Sequence, residues 1–223
     1  LLEYADMCED KEAVTKYTAV TRFFRAFFYF EKVKRFGDVP WYDIQLGSAD
    51  ELLYKPRDSR ELILTKMLED IDYAINSGGL TESAADPYHV NKWAALALKA
   101  QFCLYEGTYR KYHNLNLDGH DANFYLDLAA KAALEIIEKG PYKLYQTGHP
   151  EKDYLTLFAQ KDASPEEYIL AIKFDYAIGA RHNASAYTLL PTQGRPGLTR
   201  KFINTYLMDN GTAFTDKPGW LEM

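Results

Sequence analysis

The stretch RFFRAFFYFEKVKRFGDVP at residues 22–40 constrains the fold of this chain more than any other. Apolar residues in and before it recur at three- and four-residue steps: Val14, Tyr17, Val20, Phe24, Phe27/Phe28 and Val33. That is the spacing of one buried helical face. The pattern predicts a helix over about 10–36, with small Ala26 on the same turn allowing a second helix to approach closely. Gly37-Asp38-Val39-Pro40 ends it, because glycine accepts a left-handed cap conformation and proline cannot continue a helix.

The same grammar repeats downstream. A loop at 41–57 leads to a second helix that starts near Asp58 or Ser59, where Ser59 and Glu61 suit a cap, and stops at Gly78-Gly79. A third helix over about 88–106 carries Trp93, Ala94, Ala97, Ala100 and Leu104 as a narrow stripe suited to tight packing. A polar loop at 107–122 precedes a fourth helix over about 123–139, with Leu128, Ala129, Ala132, Ala133 and Ile136 on one side. Gly140-Pro141 ends it. The result is two helix pairs in sequence, and Trp93, Leu96 and Ala97 partly match the tetratricopeptide pattern.

Beyond Gly140 the chain turns loop-rich. Leu155, Leu157 and Phe158 suggest a short buried turn. The run Tyr168–Phe174 reads as a short strand. Residues 177–199 look like an irregular loop of functional length, and a last short helix over about 199–208 ends at Asp209-Asn210-Gly211. The expected fold is mainly α, with tetratricopeptide-like helix pairs over 1–140, a loop-rich part over 141–223 and minor β.

The 223 residues, 47% of them hydrophobic, suffice for one sizeable core or two smaller ones. A net charge of −6 argues against nucleic acid, whose phosphates demand a basic face. The 18 Tyr, 12 Phe and 3 Trp serve core packing first and sugar-stacking surfaces second. Trp41 and Tyr42, just past the helix break, are expected to pack the helix end. Cys8 and Cys103 are too few for a disulfide framework or a structural zinc site, and both read as small buried hydrophobes. No run of 18 apolar residues exists.

Catalytic signatures are missing: the sequence has no GxSxG, Walker A, GxGxxG or HExxH. Five histidines are scattered without metal-ligand spacing. Asn114, Asn116, Asp118 and Gly119 match part of a calcium loop, but Tyr125 stands where the bidentate Glu belongs, and turn chemistry explains the same letters. Glu166, Glu167, Asp175 and Asp216 read as solvated surface acids, not as a glycosidase pair. No metal or cofactor is expected. Sugar binding instead needs aromatic faces beside polar groups that read hydroxyls. The segment 176–200 offers Tyr176, Arg181, His182, Asn183, Tyr187 and Arg195 as candidate ligand-binding residues.

The stretches already quoted, together with PRDSRELILTKMLEDIDYAI (56–75), VNKWAALALKAQFCLYEG (90–107), FYLDLAAKAALEIIEKGPYKLY (124–145), EEYILAIKFDY (166–176) and NTYLMDNGTAF (204–214), resemble the SusD/RagB family in order and wording. These are surface-exposed glycan-binding lipoproteins of Bacteroidetes, and the resemblance covers nearly the whole chain. It implies a non-catalytic glycan- or nutrient-binding subunit on the outer membrane, in which loops of the 176–200 region help build the ligand face. It also implies a SusC-like TonB-dependent transporter as partner, over which the protein closes as a lid. Family members are longer at both ends, so the chain reads as an internal segment without its signal peptide and lipidated cysteine. Ala5-Asp6-Met7 before Cys8 do not suit a lipobox. Two rival readings stand beside it: a tetratricopeptide-type scaffold that binds a peptide in a concave helical groove, and an enzyme, which a screen for glycan cleavage would reveal.

Overall fold

A computed structural model describes residues 2–194 and 196–220. The chain divides into two units, Leu1–Ile172 and Lys173–Met223. The first holds five α-helices: α1 (Lys11–Phe36), α2 (Arg60–Asn76), α3 (Lys92–His113), α4 (Ala122–Lys139) and α5 (Pro150–Ala159). The first four begin in the same way. Side-chain oxygens of Asp10, Ser59, Asn91 and Asp121 accept from the backbone N–H three residues on, at Ala13, Leu62, Ala94 and Phe124. Each such cap satisfies an otherwise orphaned donor and is worth about 1 kcal/mol.

α1 packs on α2 and α3 on α4, and α2 against α3 joins the pairs. Two glycines show how close the pairs come. A Cβ on Gly79, just past α2, would lie 2.5 Å from the Thr15 carbonyl oxygen of α1. On Gly107 of α3 it would lie 2.7 Å from the Leu126 side chain and 3.0 Å from the Ala122 carbonyl of α4. Gly37 ends α1 at φ 69°, ψ −118°. This is the mirror image of extended backbone, not the left-handed helical cap the sequence suggests, and only glycine occupies it readily.

The helix pairs match expectation, but several faces do not. α1 buries Ala19, Phe23, Ala26, Phe30 and Val33. Tyr17, Phe24, Phe27 and Phe28 are instead 44–53% exposed. The helix is aromatic nearly all round, so spacing alone leaves the phase open; the face that is buried carries the small Ala19 and Ala26, both 0% exposed. In α3, Trp93 is buried as expected, its indole donating to the Glu82 carbonyl at 2.7 Å. Leu104 is exposed, and Ala97 lines an open groove beside Phe23 and Phe27. The close contact of α3 belongs to Gly107, and the helix runs on to His113, past its expected end. Of the expected buried turn, only Leu157 of α5 is buried, while Leu155 and Phe158 are exposed.

The strand expected at 168–174 does not form. Among the described residues, β-structure is limited to isolated bridges such as Val39 with Asp58. The run has the right composition but no partner strand. Its backbone is tied singly instead, Ala171 N–H donating to the Pro87 carbonyl at 2.8 Å, while Ile169 packs against the core. Cys103 is buried, which pushes its thiol pKa up to about 12, whereas Cys8 is exposed, against expectation.

A charge network crosses the first unit. Arg110 of α3 is fully buried. Its Nε donates to Glu106 at 2.7 Å, Nη2 to Glu61 at the start of α2, and Nη1 to the His120 carbonyl before α4. Arg60 donates to the same Glu106 carboxylate at 2.6 and 2.9 Å, and the His120 ring pairs with Glu61. Breaking a buried pair from one side typically costs about 3–5 kcal/mol. Arg110→Met is therefore expected to destabilise by that amount in urea unfolding, and a loss below about 1 kcal/mol would contradict the network's role. Gly79→Ala should cost about 1–3 kcal/mol by forcing α1 away. The control Gly47→Ala, whose Cβ meets nothing, should stay within about 0.5 kcal/mol of wild type.

Candidate ligand-binding face

Among its described residues, the unit Lys173–Met223 holds two short α-helices, α6 (Ala184–Leu189) and α7 (Arg200–Ile203). Before α6 the chain makes a tight hairpin. Asp175 N–H donates to the Ala180 carbonyl at 2.9 Å, and Gly179 N–H donates to the Tyr176 carbonyl at 3.2 Å. Asp175 Oδ1 accepts from Ala177 N–H at 2.8 Å, the local bond that favours Asp at a turn. Gly179 takes φ +78°, where a side chain would be strained.

This turn brings two predicted residues together. The Arg181 guanidinium carbon lies 3.8 Å from the Tyr176 ring centroid. Tyr176 is 76% exposed and Arg181 is also exposed. A stacked guanidinium keeps its in-plane N–H donors at the edges, available to hydroxyls or anions. Arg181 also occupies ring surface of Tyr176, so a sugar must stack on what remains. His182 meets the Phe174 ring edge-on at 5.0 Å, and its Nδ1 accepts from Ala184 N–H at 3.3 Å. The neutral ring then carries its proton on Nε2, a donor.

Asn183 occupies the N-cap position of α6 without a side-chain capping bond, and Tyr187 follows one turn later at 46% exposure. The Tyr187 ring lies near Gly194. No hydrogen bond, ion pair or ring contact among the described residues joins Tyr187 to the Tyr176–Arg181 pair. Arg195 lies outside the described residues. Phe174 escaped the sequence reading because it was absorbed into the expected strand; its exposed ring beside His182 is the missed member of this surface.

Other groups resolve into structural roles. Glu167 accepts from Tyr145 N–H at 2.7 Å, and Glu166 lies 3.6 Å from Lys143. The Asn114–Gly119 segment is a turn: Asn114 caps α3 at φ 51°, and Asp118 and Gly119 also take positive φ. Trp41 is buried and stacks on Tyr29 at 4.2 Å, as expected of a helix-end packer. Among the described residues no group of three or more His, Cys, Asp or Glu is placed to hold a metal ion. No helix of the described residues is long and apolar enough to cross a membrane.

Paired helices followed by short helices and loops define a mainly α class. No protein-family model and no curated protein matches the chain. Solved structures do. A SusD-like protein from Bacteroides fragilis matches with a TM-score of 0.63 and 25% identity, over 92% of this chain and 38% of its own. A crystal structure with xylogluco-oligosaccharide matches with a TM-score of 0.59 and 22% identity, over 78% of this chain and 32% of its own. The fold is that of the SusD/RagB proteins. The chain spans about a third of the length of these structures.

Proposed function

We propose that this chain is part of a non-catalytic glycan-binding subunit of a SusC/SusD-type outer-membrane uptake system. The observation that carries the reading is the SusD-like fold, shared over 92% of the chain with one solved structure. A second structure of that fold was determined with a xylogluco-oligosaccharide. The exposed rings and polar groups of 174–187 supply what sugar recognition requires, an apolar plane beside hydrogen-bonding groups. The one acid within 174–187, Asp175, has an oxygen engaged by the Ala177 N–H, and that stretch holds no second carboxylate, which favours capture over cleavage. In this reading the whole protein is a surface lipoprotein, and a SusC-like TonB-dependent transporter receives the captured glycan.

The test is calorimetric titration of the full-length protein against a polysaccharide panel, with reducing-end release measured in parallel. Binding without release is expected. Tyr176→Ala should weaken the preferred glycan roughly tenfold, about 1.4 kcal/mol, while the unfolding midpoint stays put. Unchanged affinity would remove Tyr176 from the site. Release of reducing ends would overturn the non-catalytic reading, and peptide binding without glycan binding would favour a scaffold.

A further inference from the structure

Charge is unevenly spread along this chain. Residues 173–208 carry five cationic side chains, Lys173, Arg181, Arg195, Arg200 and Lys201, against one carboxylate, Asp175; with Asp209, Asp216, Lys217 and Glu222 the unit Lys173–Met223 is net +2, in a chain of net −6. The cationic stretch contains the Tyr176–Arg181 hairpin. A compact body of about 50 residues has a radius of gyration near 10 Å. The Debye length is about 8 Å at physiological salt, so charges within the unit act partly in concert.

Arg181 is the sharpest element of this surface. It is exposed, and among the described residues no carboxylate pairs with it; its guanidinium lies over the Tyr176 ring. Asp175, the nearest acid in sequence, spends an oxygen on Ala177 N–H. The ring holds the guanidinium carbon 3.8 Å from its centroid without spending any N–H donor on a carboxylate, so paired donors are available to a planar or tetrahedral oxyanion. A neutral sugar would use single donors of this edge, whereas a carboxylate or sulfate would use two and gain charge as well.

We infer that the face around Tyr176 and Arg181 takes an anionic glycan, one bearing carboxylate or sulfate groups, with Arg181 as the residue that reads the charge. This rests on the glycan-binding reading above and narrows it to a ligand class. The ring of Tyr176 supplies the stacking plane, His182 Nε2–H a neutral donor, and the cationic stretch the attraction that gathers a polyanion.

The experiment titrates the full-length protein with oligogalacturonate, a κ-carrageenan oligosaccharide (sulfated, without carboxylates) and an uncharged xylogluco-oligosaccharide, at low and at physiological ionic strength. At least one charged ligand should bind about tenfold or more tightly than the uncharged one, and its affinity should fall as salt is raised. The first two arms distinguish carboxylate from sulfate. Arg181→Gln should lose about tenfold toward the charged ligand and little toward the uncharged one, and Arg181→Lys should recover part of the loss. Circular dichroism of both variants reports folding. Preference for the uncharged ligand, or affinity indifferent to salt and to Arg181, overturns the anionic inference and leaves glycan binding standing. Binding to vesicles containing phosphatidylglycerol, with no charged glycan bound, overturns it in favour of a lipid surface. No binding of any glycan in any arm brings down the glycan reading itself.

Discussion

Taking the guanidinium of Arg110 out of water costs several kcal/mol unless its donors are met. The helix array meets them with the carboxylates of Glu61 and Glu106 and the carbonyl of His120. Those partners come from the start of α2, the middle of α3 and the loop before α4, so the ions can be satisfied only when three segments are in register. Arg60 extends the arrangement, its side chain reaching Glu106 while its own N–H donates to Asp38, beyond the end of α1, at 2.9 Å. A second pairing does the same for α1 and α2, where Arg25 grips Asp70 through two bonds at 2.6 and 2.7 Å. Apolar burial supplies the bulk of the stability, and these ions fix which faces meet.

That division of labour explains what could be read from the sequence. Most helix boundaries were legible because caps are local: Ser59 needs only Leu62, and Gly37 stops α1 where expected, though in a conformation other than the left-handed cap; the end of α3 at His113 was missed. The buried face of α1 was not legible. With Phe23, Phe24, Phe27, Phe28 and Phe30 in eight residues, hydrophobic spacing fits more than one phase, and the choice falls to partners distant in sequence, Asp70 for Arg25 and Phe102 for Phe30. The run 168–174 failed for a related reason. Strand propensity reports a side chain's fit to a pleated surface, and a strand without a neighbour has nowhere to place its ladder bonds.

The candidate site was legible at the level of residue types. Tyr176, Arg181 and His182 stood out as polar and aromatic side chains in a glycine-rich stretch. The pairing of Arg181 with the Tyr176 ring depends on a turn fixed by Asp175 and Gly179, and that geometry is visible only in three dimensions. Phe174 went unnoticed because a misread element enclosed it. Asn183 and Tyr187 share a turn of α6, yet no contact links them to the stacked pair.

The fate of the arginines separates the two units. In the helical unit, Arg25, Arg60 and Arg110 are each committed to a carboxylate at short range, and Arg22 lies 3.7 Å from Asp70. A guanidinium so engaged has its charge compensated locally, which weakens its pull on an anionic ligand. Arg181 is arranged differently: an aromatic ring orients it without neutralising it, because a quadrupole attracts a cation but cancels none of its charge. The same residue type therefore locks helices together at Arg25, Arg60 and Arg110 and presents its positive charge to solvent at Arg181. What separates the roles is the partner, a carboxylate or a ring, and the ring is the partner that leaves recognition possible.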